Sequence, residues 1–404
     1  MAGLTVGLAM LAPPATFASA PAATWLTQPV SGSNVLQSIS CSSTTTCVAV
    51  GDVPSGGSVV VPIVSGTVGA PKVVQGAALQ GVACANDSTC VAVGFRLQSS
   101  QPLVYEGVVL AITDGVPGAV QVVSGVSRLS GVSCAGPSAC VAVGSRDVPT
   151  PEGVIVPITA GAPGDPLVAS GTEFLEGVAC PSAIECIAVG SNRSKPTDPT
   201  SPDYGVIVHI AGNLPGPVQI VSGTGYLHGV ACSSGSACQA VGGTSTSSGS
   251  QGAAVSIANG IPGAVHVAPG TVFLYGVACV RSIVCQGVGS RFANPSTAPS
   301  DVGTVLTIVN GVPGDDEAVS GTLGRLFSVA CLNSTTCLAV GYNASQGVVV
   351  TIPLLRRGAP ATTRTTTISP DGGISGAAVA GAGAVVLLGA VTLAVLRRRR
   401  RHRG

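Results

Sequence analysis

The chain has 404 residues, enough for one large domain or two ordinary ones. Only 9% of its residues are charged and 3% are aromatic, whereas 56 are glycine, so there is little material for long solvated helices. The net charge of +1 argues against a nucleic-acid-binding surface, which needs a basic face with interleaved aromatic side chains.

The first 22 residues resemble a secretory signal peptide. An apolar stretch ends in Ala18-Ser19-Ala20, a small-residue pattern that signal peptidase cleaves, although no Lys or Arg precedes it. A buried first strand is the alternative. We expect residues 1–22 to be a signal peptide, which implies an extracytoplasmic, oxidising location.

Residues 23–355 are repetitive. Two cysteines separated by five residues, followed by an apolar run that ends in glycine, occur seven times, for example as CPSAIECIAVG from Cys180 to Gly190. The first cysteines recur every 43 to 52 residues, and each unit contains four short segments rich in β-branched residues. Four strands per unit at this period are typical of a propeller blade. We therefore predict an all-β, seven-bladed β-propeller of four-stranded blades.

The two ends of this region predict how the ring closes. The last unit supplies three clear strands, whereas TWLTQPVSG, which starts at Thr24, matches the fourth strand of other units. We expect this N-terminal segment to complete the last blade, because closure removes exposed sheet edges. Pairing by the later segment APATTRTTTI is the alternative.

The fourteen cysteines are expected to form one disulfide in each blade. Each pair flanks a short connection between the first and second strands, so its members face each other across a β-hairpin. Zinc is the competing interpretation, but it prefers closer cysteines and needs further ligands, which three histidines before residue 355 cannot supply. We predict no metal and no cofactor. The expected pairs are Cys41–Cys47, Cys84–Cys90, Cys134–Cys140, Cys180–Cys186, Cys232–Cys238, Cys279–Cys285 and Cys331–Cys337.

A Gly-x-Pro-Gly motif, or a close variant of it, recurs in five blades between the third and fourth strands. Proline sets φ at the first central position of a turn, and glycine permits positive φ at the second. Pro117-Gly118 and its counterparts therefore predict type II turns.

The connection between the second and third strands varies most in length and carries much of the scarce charge and aromatic content. In a propeller it lies on the same face as the links between blades, so we take it as a candidate binding face. Solvated loops that simply collect polar residues are the alternative. The candidate residues are Phe95, Arg96, Tyr105, Arg193, Tyr204, Arg291 and Phe292.

One repeated position differs in chemistry in almost every blade. It lies four residues before each first cysteine and follows a leucine, which we expect to pack between blades while its neighbour rims the central channel. The seven residues are Gln37, Gln80, Ser130, Glu176, His228, Tyr275 and Phe327. Glu176, His228, Tyr275 and Phe327 are candidate ligand contacts, although an unconstrained position would look the same. Glu176 and His228 could also form an acid/base pair, but a glycosidase needs two carboxylates.

The C-terminal segments have the layout of a membrane anchor. Residues 356–373 form a Thr/Pro/Gly stalk, and residues 374–396 are 23 uncharged residues followed by the arginine-rich tail 397–404. This pattern predicts a single transmembrane helix with a cytoplasmic C terminus and the propeller outside. A helix buried in a soluble core would not end in such a tail.

The GVxC…CxAVG frame over residues 24–353 resembles secreted bacterial repeat proteins grouped loosely with sialidase-like and photosystem-assembly-factor-like propellers. The resemblance implies a propeller and no catalytic set, because the sialidase motif Ser-x-Asp-x-Gly-x-x-Trp is absent and the sole tryptophan is Trp25. We expect a membrane-anchored, extracytoplasmic, non-catalytic module that binds an envelope or extracellular protein or a glycan through its loop face, and no nucleic acid. The alternatives are a glycan hydrolase or lyase at the channel mouth and a passive structural envelope protein.

Overall fold

A computed structural model describes residues 25–147, 150–193, 203–246, 249–281, 283–292 and 301–354. Within them, thirty strands form seven antiparallel sheets, which confirms the predicted seven-bladed propeller of four-stranded blades. The predicted signal peptide, stalk, transmembrane helix and basic tail lie outside the described residues. No helix in the described part of the chain is long and apolar enough to cross a membrane.

The blades are numbered in the order in which their first strands occur in the chain, and β1 (Leu26–Pro29) precedes blade 1. Blade 1 comprises β2 (Val35–Cys41), β3 (Thr46–Asp52), β4 (Ser58–Val64) and a split fourth strand, β5 (Thr67–Val68) and β6 (Lys72–Val74). Blade 2 comprises β7 (Ala78–Cys84), β8 (Thr89–Ser100), β9 (Leu103–Thr113) and β10 (Val116–Val123). Blade 3 comprises β11 (Arg128–Gly136), β12 (Ala139–Arg146), β13 (Glu152–Thr159) and a second split strand, β14 (Ala162–Pro163) and β15 (Leu167–Ala169).

The remaining blades follow the same order. Blade 4 comprises β16 (Phe174–Ala179), β17 (Glu185–Arg193), β18 (Asp203–Ala211) and β19 (Leu214–Val221). Blade 5 comprises β20 (Tyr226–Ser234), β21 (Ala237–Thr246), β22 (Gly249–Ala258) and β23 (Ile261–Ala268). Blade 6 comprises β24 (Phe273–Arg281), β25 (Val284–Phe292), β26 (Asp301–Val309) and β27 (Val312–Leu323). Blade 7 comprises β28 (Leu326–Asn333), β29 (Thr336–Tyr342) and β30 (Gly347–Pro353).

The N-terminal strand closes the ring as predicted. β1 pairs antiparallel with β30, from Leu26 opposite Thr351 to Pro29 opposite Val348. The next residue, Val30, donates its N–H to the carbonyl of Gly347 at 2.9 Å and is almost fully buried. The first and last described strands therefore belong to one blade.

The strand directions give the ring two distinct faces. First strands of neighbouring blades pack against one another around the ring, from β2 through β28 and back to β2. In every blade the first and third strands start at one face of the ring, and the second strand ends there. We call this face the mouth face. The opposite disulfide face carries the cysteine hairpins and the turns from third to fourth strands. All seven predicted disulfides form, with Cα–Cα distances of 3.8–4.0 Å.

The hydrophobic core lies between blades. Leu36, for example, packs in one cluster with Val340 and Val349 of blade 7 and with Val59 of its own blade. All seven repeated leucines are fully buried, as expected for residues packed between sheets: Leu36, Leu79, Leu129, Leu175, Leu227, Leu274 and Leu326.

The prediction of type II turns at Pro117-Gly118 and its counterparts is wrong. β9 ends at Thr113 and β10 starts at Val116, so the two-residue turn is Asp114-Gly115, and both residues have positive φ. This is the type I′ geometry, whose twist matches that of the flanking strands. Pro117 instead lies in the outermost strand, beside a bulge in its pairing, where a missing N–H is tolerated. The other blades with such turns use Ser65-Gly66, Ala160-Gly161, Gly212-Asn213, Asn259-Gly260 and Asn310-Gly311.

Candidate functional site

A β-bulge in every first strand positions the residue that follows the repeated leucine. In blade 5, Leu227 pairs with Gly242 and Gly229 pairs with Val241, so His228 is the extra residue between two register positions. The same register shift occurs in all seven first strands, at Gln37, Gln80, Ser130, Glu176, His228, Tyr275 and Phe327. Bulges redirect side chains, and they are common at functional sites. These seven residues, the mouth ring, are all half-buried.

The bulge explains the glycine that ends each CxAVG frame. A Cβ on Gly242 would lie 2.0 Å from the carbonyl oxygen of Tyr226, and in the other six blades the equivalent distance is 1.9–2.0 Å. No side chain fits that gap, so glycine at this position is required by the bulge. The repeated glycine is thus a structural partner of the mouth ring.

Aromatic side chains of blades 5, 6 and 7 form a continuous cluster at the mouth face. His228 contacts Tyr226 and Tyr275 with ring centroids 5.2 Å from each, and Tyr275 contacts Phe327 at 5.3 Å. Phe273 stacks on Tyr226 at 5.6 Å, and Tyr342 stacks on Phe327 at 5.9 Å. We call these six residues the aromatic cluster: Tyr226, His228, Phe273, Tyr275, Phe327 and Tyr342.

An arginine links the cluster to a carboxylate. Arg325 donates through Nε to Oδ2 of Asp301 at 2.6 Å and through Nη1 to the hydroxyl of Tyr275 at 3.1 Å. Its guanidinium lies 5.9 Å from the Tyr275 ring centroid. Burial is the main cause that raises the pKa of Tyr275 above its ordinary value, so this phenol stays protonated at neutral pH. It can both accept from Arg325 and donate to a ligand.

Burial also shifts the pKa values of two mouth-ring residues. It lowers the pKa of His228 to about 4, so this imidazole is neutral at pH 7. Burial raises the pKa of Glu176, while a hydrogen bond from Ser130 and the nearby Arg128 act in the opposite direction. The partners of Glu176 therefore lie in blade 3, whereas those of His228 lie in blades 5 and 6.

A second, smaller aromatic group lies on blade 2. Phe95 contacts Tyr105 edge-to-face at 5.2 Å, and the exposed Arg128 of blade 3 lies over the Phe95 ring, 4.6 Å from its centroid. Phe95 is near the middle of β8 and Tyr105 is in β9. The predicted loop residues of this blade thus belong to a long paired hairpin.

Two of the three predicted arginines of the variable connections form ion pairs with neighbours. Arg96 pairs with Glu106, directly opposite it across β8 and β9, at 2.8 Å. Arg291 forms an ion pair with Asp316 of the fourth strand at 3.1 Å. Arg193 ends β17, and its side chain lies outside the described residues. These contacts give Arg96 and Arg291 ion-pair partners within their own blades.

Among the described residues, the two other predicted residues of this face make no ring contact with the aromatic cluster, although Phe292 lies directly opposite Asp301 across β25 and β26. Tyr204 is half-buried near the start of β18, and Phe292 is 43% exposed at the end of β25. Phe292 therefore offers a mouth-face aromatic side chain outside the cluster.

Every phenylalanine and tyrosine that the structure describes lies at the mouth face. The ten residues are Phe95, Phe174, Phe273, Phe292, Phe327, Tyr105, Tyr204, Tyr226, Tyr275 and Tyr342. In a chain with 3% aromatic residues, this one-sided distribution distinguishes the two faces of the ring. The described residues contain no group of three or more His, Cys, Asp or Glu side chains that could hold a metal ion.

Sequence reasoning missed Tyr226, Phe273 and Arg325 as members of the site. They occupy a second repeated position, two residues before the mouth ring: Tyr226 and Phe273 begin β20 and β24, and Arg325 directly precedes β28. Blade 3 has Arg128 there. The repeat therefore contained the information needed to find these residues. Residues i and i+2 share a face of a strand, so the position two residues before the mouth ring points to the same side.

Comparisons with known proteins show the fold and no family. No protein-family model and no curated protein matches the chain. The WD40 propeller domain of Doa1 is 9% identical with a TM-score of 0.56, over 81% of this chain and 95% of that one. YCF48 bound to D1 peptide is 10% identical with a TM-score of 0.50, over 83% of this chain and 98% of that one. YCF48 from Cyanidioschyzon merolae is 13% identical with a TM-score of 0.51, over 82% and 99%.

Proposed function

We propose that this protein is a membrane-anchored, extracytoplasmic propeller that binds a protein ligand at the aromatic cluster of its mouth face, without catalysis. The observation that carries this proposal is the cluster itself, in which three neighbouring blades present five of the chain's few aromatic residues together with a neutral histidine.

The chemistry of the cluster suits recognition. Tyrosine and arginine are enriched among the residues that dominate binding energy in protein interfaces. The rings already contact one another, and Arg325 is held by Asp301, so little side-chain entropy remains to be lost on binding. A preorganised, half-buried surface of this kind favours ligand binding over a purely structural role.

Two further observations bear on the ligand and the location. WD40 propellers share this fold, and one similar structure is YCF48 bound to D1 peptide, which favours a protein segment over a glycan as the ligand. Seven disulfides support an oxidising compartment, in agreement with the predicted signal peptide and transmembrane helix.

The test is capture of a partner by the full chain in detergent from an envelope extract. We expect Phe327→Ala and Tyr275→Ala to weaken retention about tenfold or more, since central aromatic contacts of this kind typically contribute over 1 kcal/mol. Phe292→Ala is the matched control, because it removes a mouth-face aromatic ring outside the cluster. Thermal melting of each variant separates lost binding from lost folding.

The same experiment addresses the alternatives. Equal retention by Phe327→Ala and Phe292→Ala would refute the site, and the absence of any partner would favour a passive structural role. Release of product from an envelope glycan, abolished by Glu176→Gln, would instead identify an enzyme at the channel mouth.

A further inference from the structure

The hairpin of β8 and β9 extends beyond the rest of blade 2 at the mouth face. β8 continues past Gly94 to Ser100, farther than any other described second strand continues past its equivalent glycine. The two strands stay paired up to the turn that joins them. At the base, Gly107 donates its N–H to the carbonyl of Val126, just before blade 3, at 2.7 Å. We call residues 95–107 the finger, a paired element that is fixed to the next blade.

One side of the finger is apolar. Phe95 and Leu97 alternate with Arg96 along β8, and Tyr105 lies directly opposite Leu97. The rings of Phe95 and Tyr105 contact each other with centroids 5.2 Å apart, so the two side chains share a side. Leu103 belongs to the same side, because it lies two residues before Tyr105 in one strand. These four apolar residues form the finger face, and Arg96 lies on the other side.

The two leucines of the finger face are exposed to solvent. Leu97 is 54% exposed and Leu103 is 61% exposed. In the described parts of the other hairpins between second and third strands, Phe292 is the only exposed large apolar residue. An isolated exposed leucine needs no explanation, but two of them beside two aromatic rings on a paired hairpin form a continuous apolar strip. Covering this strip would remove apolar area from water, which favours a contact there.

An arginine of blade 3 completes the finger face. The guanidinium of Arg128 is exposed and lies over the Phe95 ring, 4.6 Å from its centroid. Stacking of this kind orients the guanidinium plane and leaves its N–H edge available to a carboxylate. Within the described part of the chain Arg128 forms no ion pair. The four other mouth-face arginines with described side chains all do, as Arg96–Glu106, Arg146–Glu152, Arg291–Asp316 and Arg325–Asp301.

Two carboxyl groups near Arg128 bear on its charge. Arg128 acts to lower the pKa of Glu176, but burial is the larger cause and raises it, which disfavours the ionised form of this carboxyl group. The hydrogen bond of Glu176 is with Ser130. Asp147 is exposed, and its N–H donates to the hydroxyl of Ser127 at 3.0 Å. A ligand carboxylate can therefore approach the N–H edge of Arg128 without displacing an ion pair with a described residue.

We propose that the finger face and Arg128 bind a segment of the protein ligand in which an acidic side chain adjoins an apolar one. This inference rests on the proposed function, in which the mouth face binds a protein, and it adds a second contact site and the chemistry of the bound segment. The leucines and rings provide apolar area for the aliphatic or aromatic side chain. The stacked guanidinium provides paired N–H donors for the carboxylate, a charge-assisted contact with defined geometry.

The test selects random peptides displayed on phage with the full chain in detergent, after removal of those that also bind a Leu97→Ser/Arg128→Gln variant. We expect the recovered peptides to carry Asp or Glu beside a Leu, Ile or Phe. One such peptide, synthesised with a fluorescent label, then gives dissociation constants by anisotropy. We expect Arg128→Gln to weaken binding about tenfold and Leu97→Ser about threefold or more. Arg146→Gln is the matched control and should bind like the wild type, because that arginine already has a carboxylate partner.

A double-mutant cycle identifies the contact itself. Replacing the acidic residue of the peptide by its amide should cost the same factor in the wild type as Arg128→Gln does, and should cost nothing further in Arg128→Gln. Independent, additive losses would overturn the proposed contact. Thermal melting of each variant shows whether it remains folded.

The other outcomes separate this inference from the proposed function. Recovery of no peptide, or of peptides without an excess of acidic residues, would overturn the finger site. Peptides in a selection without the removal step that depend on Phe327 but not on Leu97 or Arg128 would overturn it too, and would leave the aromatic cluster as the binding site. Binding of polygalacturonate that is lost in Arg128→Gln, with no peptide recovered, would assign Arg128 to a glycan carboxylate and refute the protein ligand.

Discussion

His228 and Glu176 occupy the same repeat position in neighbouring blades, and burial shifts their pKa values in opposite directions. In both cases the shift favours the neutral form of the side chain. The pKa of His228 falls to about 4, and that of Glu176 rises. Because the folded-state pKa of His228 is depressed, its contribution to stability is present above the unfolded pKa, near 6.5, and is lost as pH falls toward 4. The raised pKa of Glu176 acts in the opposite sense, so its contribution is lost as pH rises.

We expect His228→Gln to reduce the loss of stability between pH 7 and pH 4.5. The buried neutral imidazole must accept a proton on unfolding, which is worth about 2 kcal/mol over that range. Urea unfolding at the two pH values measures the difference. His266→Gln, on the outer strand of blade 5, is the control and should show the full loss of the wild type. Identical pH dependence in wild type and His228→Gln would contradict the assignment.

A second prediction at this scale concerns the glycine after the mouth ring. A Cβ on Gly177 would lie 2.5 Å from the carbonyl oxygen of His228 in the next blade. We expect Gly177→Ala to reduce the free energy of unfolding by roughly 1–3 kcal/mol, since one first strand must move away from the next. Gly136→Ala, where no atom lies within 4 Å of the added Cβ, should have a much smaller effect. Equal effects in chemical denaturation would contradict the close approach.

The sequence predicts residue-scale features well when they are local. Cys180 and Cys186 face each other because a short hairpin joins them, so spacing alone was sufficient. Tyr226, Phe273 and Tyr275 meet across two blades, and no spacing within one unit reveals such a contact. The bulge at His228 was also hidden, because it appears only when both partner strands are in register.

At the scale of elements, the turns show why local sequence rules can select the wrong residues. Pro117-Gly118 fits a type II turn in isolation, but Asp114-Gly115 forms the actual turn because a two-residue hairpin favours the twist of type I′. The Gly-x-Pro-Gly motif therefore includes the end of the turn and the start of the edge strand. The strands and their order could be predicted, whereas the turn position depended on pairing.

One turn carries a residue poorly suited to it. Ala160 has a φ of 50°, a region that favours Asn, Asp and Gly, and Asn259 has a φ of 51° at the equivalent turn position of blade 5. We expect Ala160→Asn to raise the free energy of unfolding by about 0.5–1 kcal/mol and Asn259→Ala to lower it by a similar amount. Thermal unfolding of the two variants and the wild type measures both changes in the free energy of unfolding. Changes of the same sign would contradict the backbone argument.

At the scale of the whole molecule, the ring is held by cross-links within blades and by one strand that joins its two ends. Each disulfide closes a short loop and contributes about 2 kcal/mol on the chain-entropy model. Seven such contributions total about 14 kcal/mol, which is close to the upper end of the roughly 5–15 kcal/mol net stability of an ordinary domain. We therefore expect full reduction of the disulfides to unfold the protein at room temperature. Circular dichroism of the reduced protein measures this unfolding, with unreduced protein as the control. A folded spectrum after complete reduction, verified by thiol counting, would show that packing between blades is sufficient.

The closing strand permits a sharper test, because its role is topological. Leu26 to Pro29 pair with β30 in the place of a fourth strand, although more than 300 residues separate the two in sequence. Deleting residues 25–31 should leave the edge of β30 unpaired and abolish cooperative unfolding, because a ring without closure exposes the core beside blade 1.

A circular permutant separates the strand from its covalent position. Joining Leu354 to Trp25 through a short glycine-containing linker would convert the closing blade into an ordinary blade, and new termini can lie at the exposed turn between β8 and β9. The permutant keeps every strand and every disulfide, so we expect a single unfolding transition with stability within about 1 kcal/mol of the wild type. If the permutant fails to fold while the deletion variant folds, then the N-terminal strand is dispensable, and the ring must be held closed by the packing of first strands alone.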